Sequence, residues 1–348
     1  MEYYIVLLVF YAITLIFLRL VFAEIEGRQA RKMSNVRYFL RYHSKFVYRN
    51  QFSIIFVAFL CYMIVSVEKA FSTMWFLQLL GFIAVGVISD ALSQIVYYYY
   101  INFRFKKDIV ESEELKNEIE QAVLNQGEEL MQQTIPSYEP HRIIEDYLNE
   151  ENHLAVISVD GGNFTSQFEK LPPITYSVEL NPTKARETLE EKGVKVTTFT
   201  SQGKMPFKDE KLDVVVNELS NYDKFEMYRI LKPGGYLVVD QLGSDNYKEI
   251  INMFIPFKLK GQWNKEACQS TLTEIGFDIV DSYEDVGHIR FHSLSAVLAF
   301  MKSISPERVE KYEQFMNFYA DVLKKIKKNQ FYEITTHKFM VIARDRKS

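Results

Sequence analysis

The feature that most constrains the fold is an alternation of short apolar runs with helix-length segments after residue 153. Such an alternation predicts a parallel sheet with helices on both faces. The predicted strands are LAVISV, ITYSVEL, VKVTTF, LDVVVN and GYLVVDQL. Sheets of this kind bind ligands beyond the carboxyl ends of their strands, so the residues that follow each strand are the candidates for a functional site.

The turn after the first predicted strand reads Asp160-Gly161-Gly162-Asn163. Glycines at this place let the backbone approach a ligand closely, and the N–H groups of a following helix can face that ligand. Glu179 ends the second predicted strand, where a carboxylate can accept hydrogen bonds from two ribose hydroxyls. This combination predicts a site for a nucleotide-like cofactor.

The segment LKPGG, from Leu231 to Gly235, is the most specific signal in the chain. Pro-Gly-Gly ends a helix and turns the chain into a strand. Together with PFKDEKLDVVV upstream, it resembles the S-adenosylmethionine-dependent methyltransferases of the Rossmann-like class. The resemblance covers about residues 136–345, including FYEITTHKFMVIARD, and none of the apolar N-terminal part. An NAD-dependent dehydrogenase, the main rival, requires G-x-G-x-x-G, which the sequence lacks.

The resemblance implies S-adenosylmethionine as the cofactor. The residues implied to bind it are Asp160, Gly161, Gly162, Asn163, Glu179, Ser201, Gln202 and Asn217. The first loop departs from the family pattern D-x-G-x-G-x-G, because Ile157 takes the place of the acid and Val159 that of the first glycine. Two interpretations follow: the loop still holds the cofactor, or the fold persists around a pocket that no longer binds it.

Methyl transfer from a sulfonium requires in-line positioning and exclusion of water, and it requires a base only when the acceptor is protonated. The resemblance implies an acceptor beside the end of the fourth strand. The candidate catalytic residues are Asn217, Glu218, Tyr222 and His288, with Asp223 on the adjoining loop and His337 at a position that matches the family. His288, Arg290 and His292 alternate along a predicted strand, where they could bind an anionic acceptor or form the polar face of an edge strand.

Apolar stretches over residues 3–23, 52–67 and 70–89 predict transmembrane helices within a region spanning residues 1–100. Basic residues are concentrated between the first two stretches and just after the third, which places both segments in the cytoplasm. The basic loop could also bind anionic lipid headgroups or a substrate phosphate. A cleaved signal peptide is the alternative for the first stretch, but no basic segment precedes it.

Residues 101–135 are highly charged and carry apolar side chains at helical spacing, which predicts an amphipathic helical linker. This linker could pair with a second copy as a short coiled coil and form a homodimer. The chain has 41 Lys and Arg against 45 Asp and Glu, so no basic excess indicates a nucleic-acid partner. Cys61 and Cys268 predict free thiols in a reducing compartment, and no metal-ligand spacing occurs in the sequence.

The sequence therefore predicts an α/β, Rossmann-like methyltransferase domain over residues 136–348, with a mostly parallel sheet and helices on both faces. An all-α transmembrane region of about three helices precedes it. The predicted function is that of a cytoplasmic S-adenosylmethionine-dependent methyltransferase, anchored in the cell membrane, with the lipid bilayer and an unidentified small-molecule or membrane-associated acceptor as partners. The alternative is an inactive pseudo-methyltransferase that serves as a membrane-tethered scaffold or sensor. A transporter is disfavoured because the predicted spans carry few polar residues.

Overall fold

The computed structural model describes residues 2–43, 73–125, 131–199, 204–221, 223–254 and 263–347. The chain divides into two compact units. The first comprises Met1–Leu130 and His292–Tyr332, and the second comprises Met131–Phe291 and Glu333–Ser348. The second unit differs from the domain predicted over 136–348, because residues 292–332 belong to the first unit.

The helices and strands are numbered in chain order. The helices are α1 Glu2–Lys32, α2 Val36–His43, α3 Thr73–Arg104, α4 Lys106–Leu124, α5 Pro140–Glu145, α6 Asn163–Ser166, α7 Pro182–Leu189, α8 Lys224–Ile230, α9 Lys248–Phe254, α10 Lys265–Ile275, α11 Leu294–Ile304, α12 Pro306–Glu310 and α13 Met316–Asn329. The strands are β1 Met131–Gln133, β2 His153–Ser158, β3 Ile174–Glu179, β4 Lys195–Thr197, β5 Leu212–Glu218, β6 Leu231–Leu242, β7 Phe277–Phe291 and β8 Tyr332–Asp345.

The first unit is helical and has its own apolar core. Helix α1 packs on α3, and the Phe105 ring at the α3–α4 junction lies against Gly27 of α1. A Cβ atom at Gly27 would lie 2.3 Å from that ring, so the close approach depends on the glycine. Arg31 of α1 donates hydrogen bonds of 2.8 and 2.5 Å to both carboxylate oxygens of Asp108 in α4.

Two of the three apolar stretches fall on described helices of this unit. The stretch over 3–23 lies in α1, and most of the stretch over 70–89 lies in α3. Among the residues that the structure describes, no helix has both the length and the apolar character needed to cross a bilayer. The two predicted spans therefore have no support from these helices. The stretch over 52–67 lies outside the described residues.

The predicted helical linker over 101–135 divides into different elements. Helix α3 extends to Arg104, α4 follows as far as Leu124, and residues 131–133 form β1 rather than helix, because they pair with the end of β7. The apolar residues Ile109 and Ile119 of α4 are buried within the unit. Their burial leaves less apolar surface on α4 for pairing with a second copy.

The second unit contains an eight-stranded sheet in the order β1-β7-β8-β6-β5-β2-β3-β4. Strands β2 to β6 are mutually parallel where they neighbour one another, and in spatial order they run third, second, first, fourth, fifth along the chain. That order is the doubly wound Rossmann arrangement. Strand β8 is antiparallel to β6. The prediction of a mostly parallel, Rossmann-like sheet is confirmed.

Apolar side chains cover both faces of this sheet. On one face Val156, Val216 and Val238 pack against α5, α6 and the segment before them. On the other face Ile157, Val215 and Val239 pack against α8 and α10. Successive side chains of each strand therefore point alternately to the two helical layers. The same alternation determines which face of the sheet each polar residue at a strand end occupies.

The LKPGG segment forms a bulge within β6 rather than the simple turn that its sequence predicts. Helix α8 ends at Ile230 and β6 already begins at Leu231, which pairs with Leu212. The ladder then skips to the pair Val214–Tyr236, so the Lys232–Gly235 segment bulges out between two pairs of β6. Gly234 has a φ of +74°, a conformation that favours glycine.

Candidate functional site

The carboxyl edge of the parallel strands carries a row of polar side chains. Ser158 of β2 pairs with Glu179 of β3, and Glu218 of β5 pairs with Asp240 of β6. Ile157 pairs with Asn217, which brings Ser158 level with Glu218. These four side chains extend the face that Val156, Val216 and Val238 form deeper in the sheet. The row of Glu179, Ser158, Glu218 and Asp240, called here the edge row, is buried throughout.

The Glu179 carboxylate accepts hydrogen bonds from the backbone of the glycine turn. The backbone N–H of Gly161 donates to Glu179 Oε2 at 3.2 Å, and that of Gly162 donates to Oε1 at 3.0 Å. Ser177 Oγ adds a third hydrogen bond to Oε1 at 3.3 Å. Burial raises the pKa of Glu179 despite the hydrogen bond from Gly161. Glu179 thus ends β3 and organises the loop through its carboxylate, while its binding of a ribose stays a prediction.

The turn itself requires glycine. Gly161 and Gly162 have φ values of +73° and +86°, where side-chain-bearing residues are strained. A Cβ atom at Gly162 would lie 3.0 Å from Leu189 and 3.3 Å from the backbone of Ala185 in α7. Both glycines thus adopt a conformation that a side chain would oppose, and Val159, in the place of the family's first glycine, is 45% exposed.

Asp160 joins the turn to the edge row. Its Oδ2 atom accepts a 2.7 Å hydrogen bond from the N–H of Phe164, and its Oδ1 atom lies 2.9 Å from Ser158 Oγ. Asn163 Nδ2 donates to the backbone oxygen of Asp160 at 3.0 Å, so its amide stabilises the turn. Ile157, in the place of the family acid, is fully buried on the opposite face of the sheet. Asp160 is therefore the acid that this loop presents on the face of the edge row.

Glu218 lies next to Ser158 and within reach of the charges of Asp160 and Asp240. Ser158 Oγ lies 3.0 Å from Glu218 Oε2 as well as 2.9 Å from Asp160 Oδ1. A hydroxyl has one proton and can donate to only one of these carboxylates. Burial, opposed by the Ser158 hydrogen bond and reinforced by the charges of Asp160 and Asp240, raises the pKa of Glu218 to about 7. A proton on Glu218 supplies the donor that the second contact with Ser158 requires.

Asn217 faces the opposite side of β5. Its Nδ2 donates to the Ser220 oxygen at 3.0 Å, and Ser220 Oγ donates to its Oδ1 at 2.5 Å. The side chain is fully buried and its amide is engaged in shaping the turn after β5. The structure thus separates Asn217 from Glu218, which the sequence placed together as candidates.

The remaining candidates are dispersed. Ser201, Gln202 and Tyr222 lie outside the described residues. Asp223 caps α8 through a 2.8 Å hydrogen bond from the Phe225 N–H. His288 lies near the end of β7 with its Nε2 atom 3.8 Å from Glu333, away from the edge row.

The alternating row that included His288 does not form one surface within a unit. Arg290 donates to the same Glu333 at 2.7 Å, while His292 follows the end of β7 and belongs to the first unit. There the Nδ1 atom of His292 lies 3.0 Å from the backbone oxygen of Gln330. Within the second unit, His288 and Arg290 both lie beside the carboxylate of Glu333.

Several residues near the edge row were missed in the sequence. Asp240 is fully buried, and Lys338 of β8 places its Nζ atom 3.0 Å from Asp240 Oδ2. Tyr138 precedes α5 and is buried on the same face. Asp240 follows the apolar run of GYLVVD as Glu218 follows that of LDVVVN, and this strand-end signal could have identified it. Nothing in the sequence pattern indicates Tyr138.

His337 sits beside this region in a fixed orientation. Its Nε2 atom lies 3.0 Å from Glu284 Oε1, and its backbone N–H donates to Asn246 Oδ1 at 3.0 Å. The ring lies flat on Gly243, where a Cβ atom would come within 2.2 Å of it. His337 therefore has a packing role against the turn after β6.

The edge row and the glycine turn fit S-adenosylmethionine in the type and place of their groups. A carboxylate offers about four lone-pair sites. Gly161, Gly162 and Ser177 already occupy three of those on Glu179. Glu179 is fully buried in this arrangement, so a ribose hydroxyl reaches it only if the turn moves or the carboxylate releases a donor, most simply Ser177 at 3.3 Å. The residues present fit the cofactor with this one adjustment.

Comparison with known proteins finds likeness in structure alone. No protein-family model matches the chain, and no curated protein is similar in sequence. Solved structures of similar fold include S-adenosylmethionine-dependent methyltransferases. A Thermotoga maritima protein of this kind, described as a possible histamine N-methyltransferase, is 19% identical over 70% of this chain and 98% of its own, with a TM-score of 0.34.

Two further structures have similar statistics. A Bacillus halodurans protein provisionally assigned as a methyltransferase is 17% identical over 60% of this chain and 98% of its own, with a TM-score of 0.42. The YcgJ protein of Bacillus subtilis is 12% identical over 60% of this chain and 97% of its own, with a TM-score of 0.43. Likeness at this level does not define a substrate or a partner.

Proposed function

We propose that the chain is an S-adenosylmethionine-dependent methyltransferase whose cofactor binds at the carboxyl edge of the second unit's sheet. The observation that carries the proposal is the left-handed turn at Gly161 and Gly162, held by a buried carboxylate at the end of the next strand. A turn of this geometry at the first strand of a Rossmann-like sheet presents backbone groups to a ligand.

Each part of the edge has a distinct role in this proposal. Glu179 would bind the ribose, and Gly161 and Gly162 would give the ligand close access to the backbone. When bound, S-adenosylmethionine supplies a methyl group on a positively charged sulfur. The chain's own contribution is to orient the acceptor, to exclude water, and to take up a proton from the acceptor where one must leave. Glu218, buried and close to half protonated at neutral pH, is the residue suited to the last task.

Calorimetric titration of the full chain with S-adenosylhomocysteine tests the proposal. Binding that weakens when Glu179 is replaced by Ala, but not when the exposed Glu187 of α7 is replaced by Ala, supports it. An affinity that is unchanged in E179A would contradict the ribose assignment. The absence of heat at millimolar ligand would contradict the enzyme proposal and favour the alternative, an inactive scaffold or sensor.

The membrane-associated acceptor rests on the composition of the N-terminal part of the chain. Apolar side chains of α1, including Phe10, Ile13 and Phe17, are exposed within their unit, and such surfaces favour contact with a bilayer or a partner. The cytoplasmic location and the anchor stay predictions from charge and hydropathy. Carbonate extraction of cell membranes tests them, because recovery of the full chain in the soluble fraction would contradict a membrane-embedded anchor.

A further inference from the structure

The carboxyl edge groups several acidic side chains, and burial raises the pKa of Glu218 to about 7 and that of Asp240 above its ordinary value. Asp160, Glu218 and Asp240 lie around this edge, and Lys338 is the cation paired with Asp240, at 3.0 Å. His141, whose ring packs on Phe164, adds no cation at neutral pH, since burial lowers its pKa. Buried carboxylates are normally paired or hydrogen-bonded, because leaving water without compensation is costly. A positively charged ligand would compensate the cost of ionising these carboxyls in a buried place.

Two buried polar atoms in this region also lack hydrogen-bond partners among the described residues. The Asp240 side chain is completely buried, and its Oδ1 atom accepts no hydrogen bond from the described residues. The Tyr138 hydroxyl is buried and likewise has no hydrogen-bond partner in the described part of the chain. Tyr138 lies near enough to Asp240 that, after burial, the charge of this carboxylate is the largest cause raising the tyrosine pKa. Orphaned buried acceptors point to a missing donor.

We infer, on the basis of the proposed methyltransferase function, that the methyl acceptor is an amine whose protonated nitrogen binds between Tyr138, Asp240 and Glu218. An ammonium group offers three N–H donors and a positive charge, and the three side chains offer acceptors on one face of the sheet. An anionic acceptor would meet uncompensated carboxylates. A metal ion is the other cation to consider, but within the described ranges no three His, Cys, Asp or Glu side chains are grouped to hold one.

The same arrangement prepares the amine for reaction. A protonated amine has no free lone pair, so one N–H proton must leave before its nitrogen can attack the methyl carbon. In this inference the ammonium proton passes to Glu218, which becomes the neutral acid, and the nitrogen keeps the electron pair. The C–N bond then forms as the methyl–sulfur bond breaks, with that bond's electrons remaining on sulfur. Ser158, hydrogen-bonded between Asp160 and Glu218, is positioned to donate to Asp160 while Glu218 carries the proton.

Three variants separate this site from general damage to the fold. Tyr138→Phe removes a buried hydroxyl that has no partner, so folding stability should be unchanged or higher while amine binding falls about two- to tenfold. Glu218→Gln removes a charge-assisted acceptor and should weaken binding by about tenfold or more. The control is Asp213→Asn. Asp213, which pairs with Lys232 at 2.7 Å, lies near the amino end of β5, at the end of the strands away from the edge row.

The probe is n-butylamine, measured on the full chain by saturation-transfer NMR at neutral pH, with and without S-adenosylhomocysteine. Butanol and butyrate have the same chain length and are neutral and anionic. Preferential binding of butylammonium that falls in Y138F and E218Q, but not in D213N, supports the inference. Equal binding of the three probes, or butylammonium binding that the first two variants leave unchanged, overturns it.

Two outcomes separate this inference from the proposed function. If S-adenosylhomocysteine binds and butylammonium shows no preference, the amine inference fails and the methyltransferase proposal stands. If S-adenosylhomocysteine displaces butylammonium while its deaminated analogue does not, the acidic site serves the cofactor's own ammonium group, and the acceptor inference is again overturned. If S-adenosylhomocysteine does not bind at all, the function fails, and with it the assignment of the amine as a methyl acceptor.

Discussion

Glu218→Gln should change the way in which the stability of the sheet unit depends on pH. In the folded chain the Glu218 pKa is about 7, raised by burial from an ordinary value of 4.5. Between these two values the folded state holds a proton that the unfolded state has released. The free energy of unfolding therefore falls as pH rises through this window. The full contribution is present below about pH 4.5 and is lost above about pH 7.

The size of this effect follows from the pKa difference. Each unit of pKa corresponds to about 1.4 kcal/mol, so the rise from 4.5 to about 7 corresponds to a loss of about 3 kcal/mol. Glutamine does not titrate, so the E218Q variant lacks this contribution. Carboxyls remote from Glu218 contribute equally to both proteins, so the difference between the two curves reports on Glu218 and on its electrostatic coupling to Asp160 and Asp240. Relative to wild type, the variant should gain about 3 kcal/mol between pH 4.5 and pH 8.

Urea unfolding at several pH values provides the measurement. Trp263 packs on Phe339 with ring centroids 5.8 Å apart, so its fluorescence reports on the sheet unit. Trp75 is the other tryptophan, and a Trp75→Phe background removes its signal. Parallel stability curves for the wild-type and E218Q proteins between pH 4.5 and pH 8 would refute the argument, since they would mean that the buried carboxyl titrates as it does in water.

Three further substitutions test the local geometry. Glu179→Ala leaves the buried N–H groups of Gly161 and Gly162 without acceptors, which should cost about 2–4 kcal/mol and reduce hydrogen-exchange protection over residues 160–165; retained protection would contradict the role assigned to this carboxylate. Gly162→Ala strains a φ of +86° and crowds α7, so the free energy of unfolding should fall by about 1–3 kcal/mol, and an unchanged value would show that the turn relaxes freely. Gly243→Ala places a Cβ within 2.2 Å of the His337 ring, so the His337–Glu284 contact should break, and the imidazole NMR shifts should move.

The apolar N-terminal part contains a contact that its hydropathy does not encode. A long apolar stretch predicts a span because lipid must surround it. Residues 3–23 and most of 70–89 lie in helices α1 and α3. Among the described residues, no helix is both long enough and apolar enough to cross a membrane. The α1–α3 contact includes the ion pair of Arg19 with Asp90 at 2.5 Å, a pairing of distant residues that no local pattern reveals. Whether this unit associates with a bilayer is a question for the extraction experiment.

Local chemistry determined much of the second unit in advance. The alternation of apolar runs predicted the parallel strands, and the glycine pair predicted a close approach of the backbone after the first of them, because both features depend on side-chain periodicity and backbone preferences. Glu179 was identifiable as a strand-end acid for the same reason. Asn217 and Glu218 are adjacent in the sequence, so one of them had to face each side of the sheet, but the sequence did not say which side would carry the site.

Only the tertiary structure determined which face of the sheet carries the candidate site and which residues surround Glu218. The register of four strands places Glu179, Ser158, Glu218 and Asp240 in one row, and the antiparallel β8 brings Lys338 to Asp240. It also assigned residues 292–332 to the other unit. These contacts join residues far apart in the chain, and their energies depend on burial that only the folded chain creates. The raised pKa of Glu218 exists for that reason and has no counterpart in the sequence.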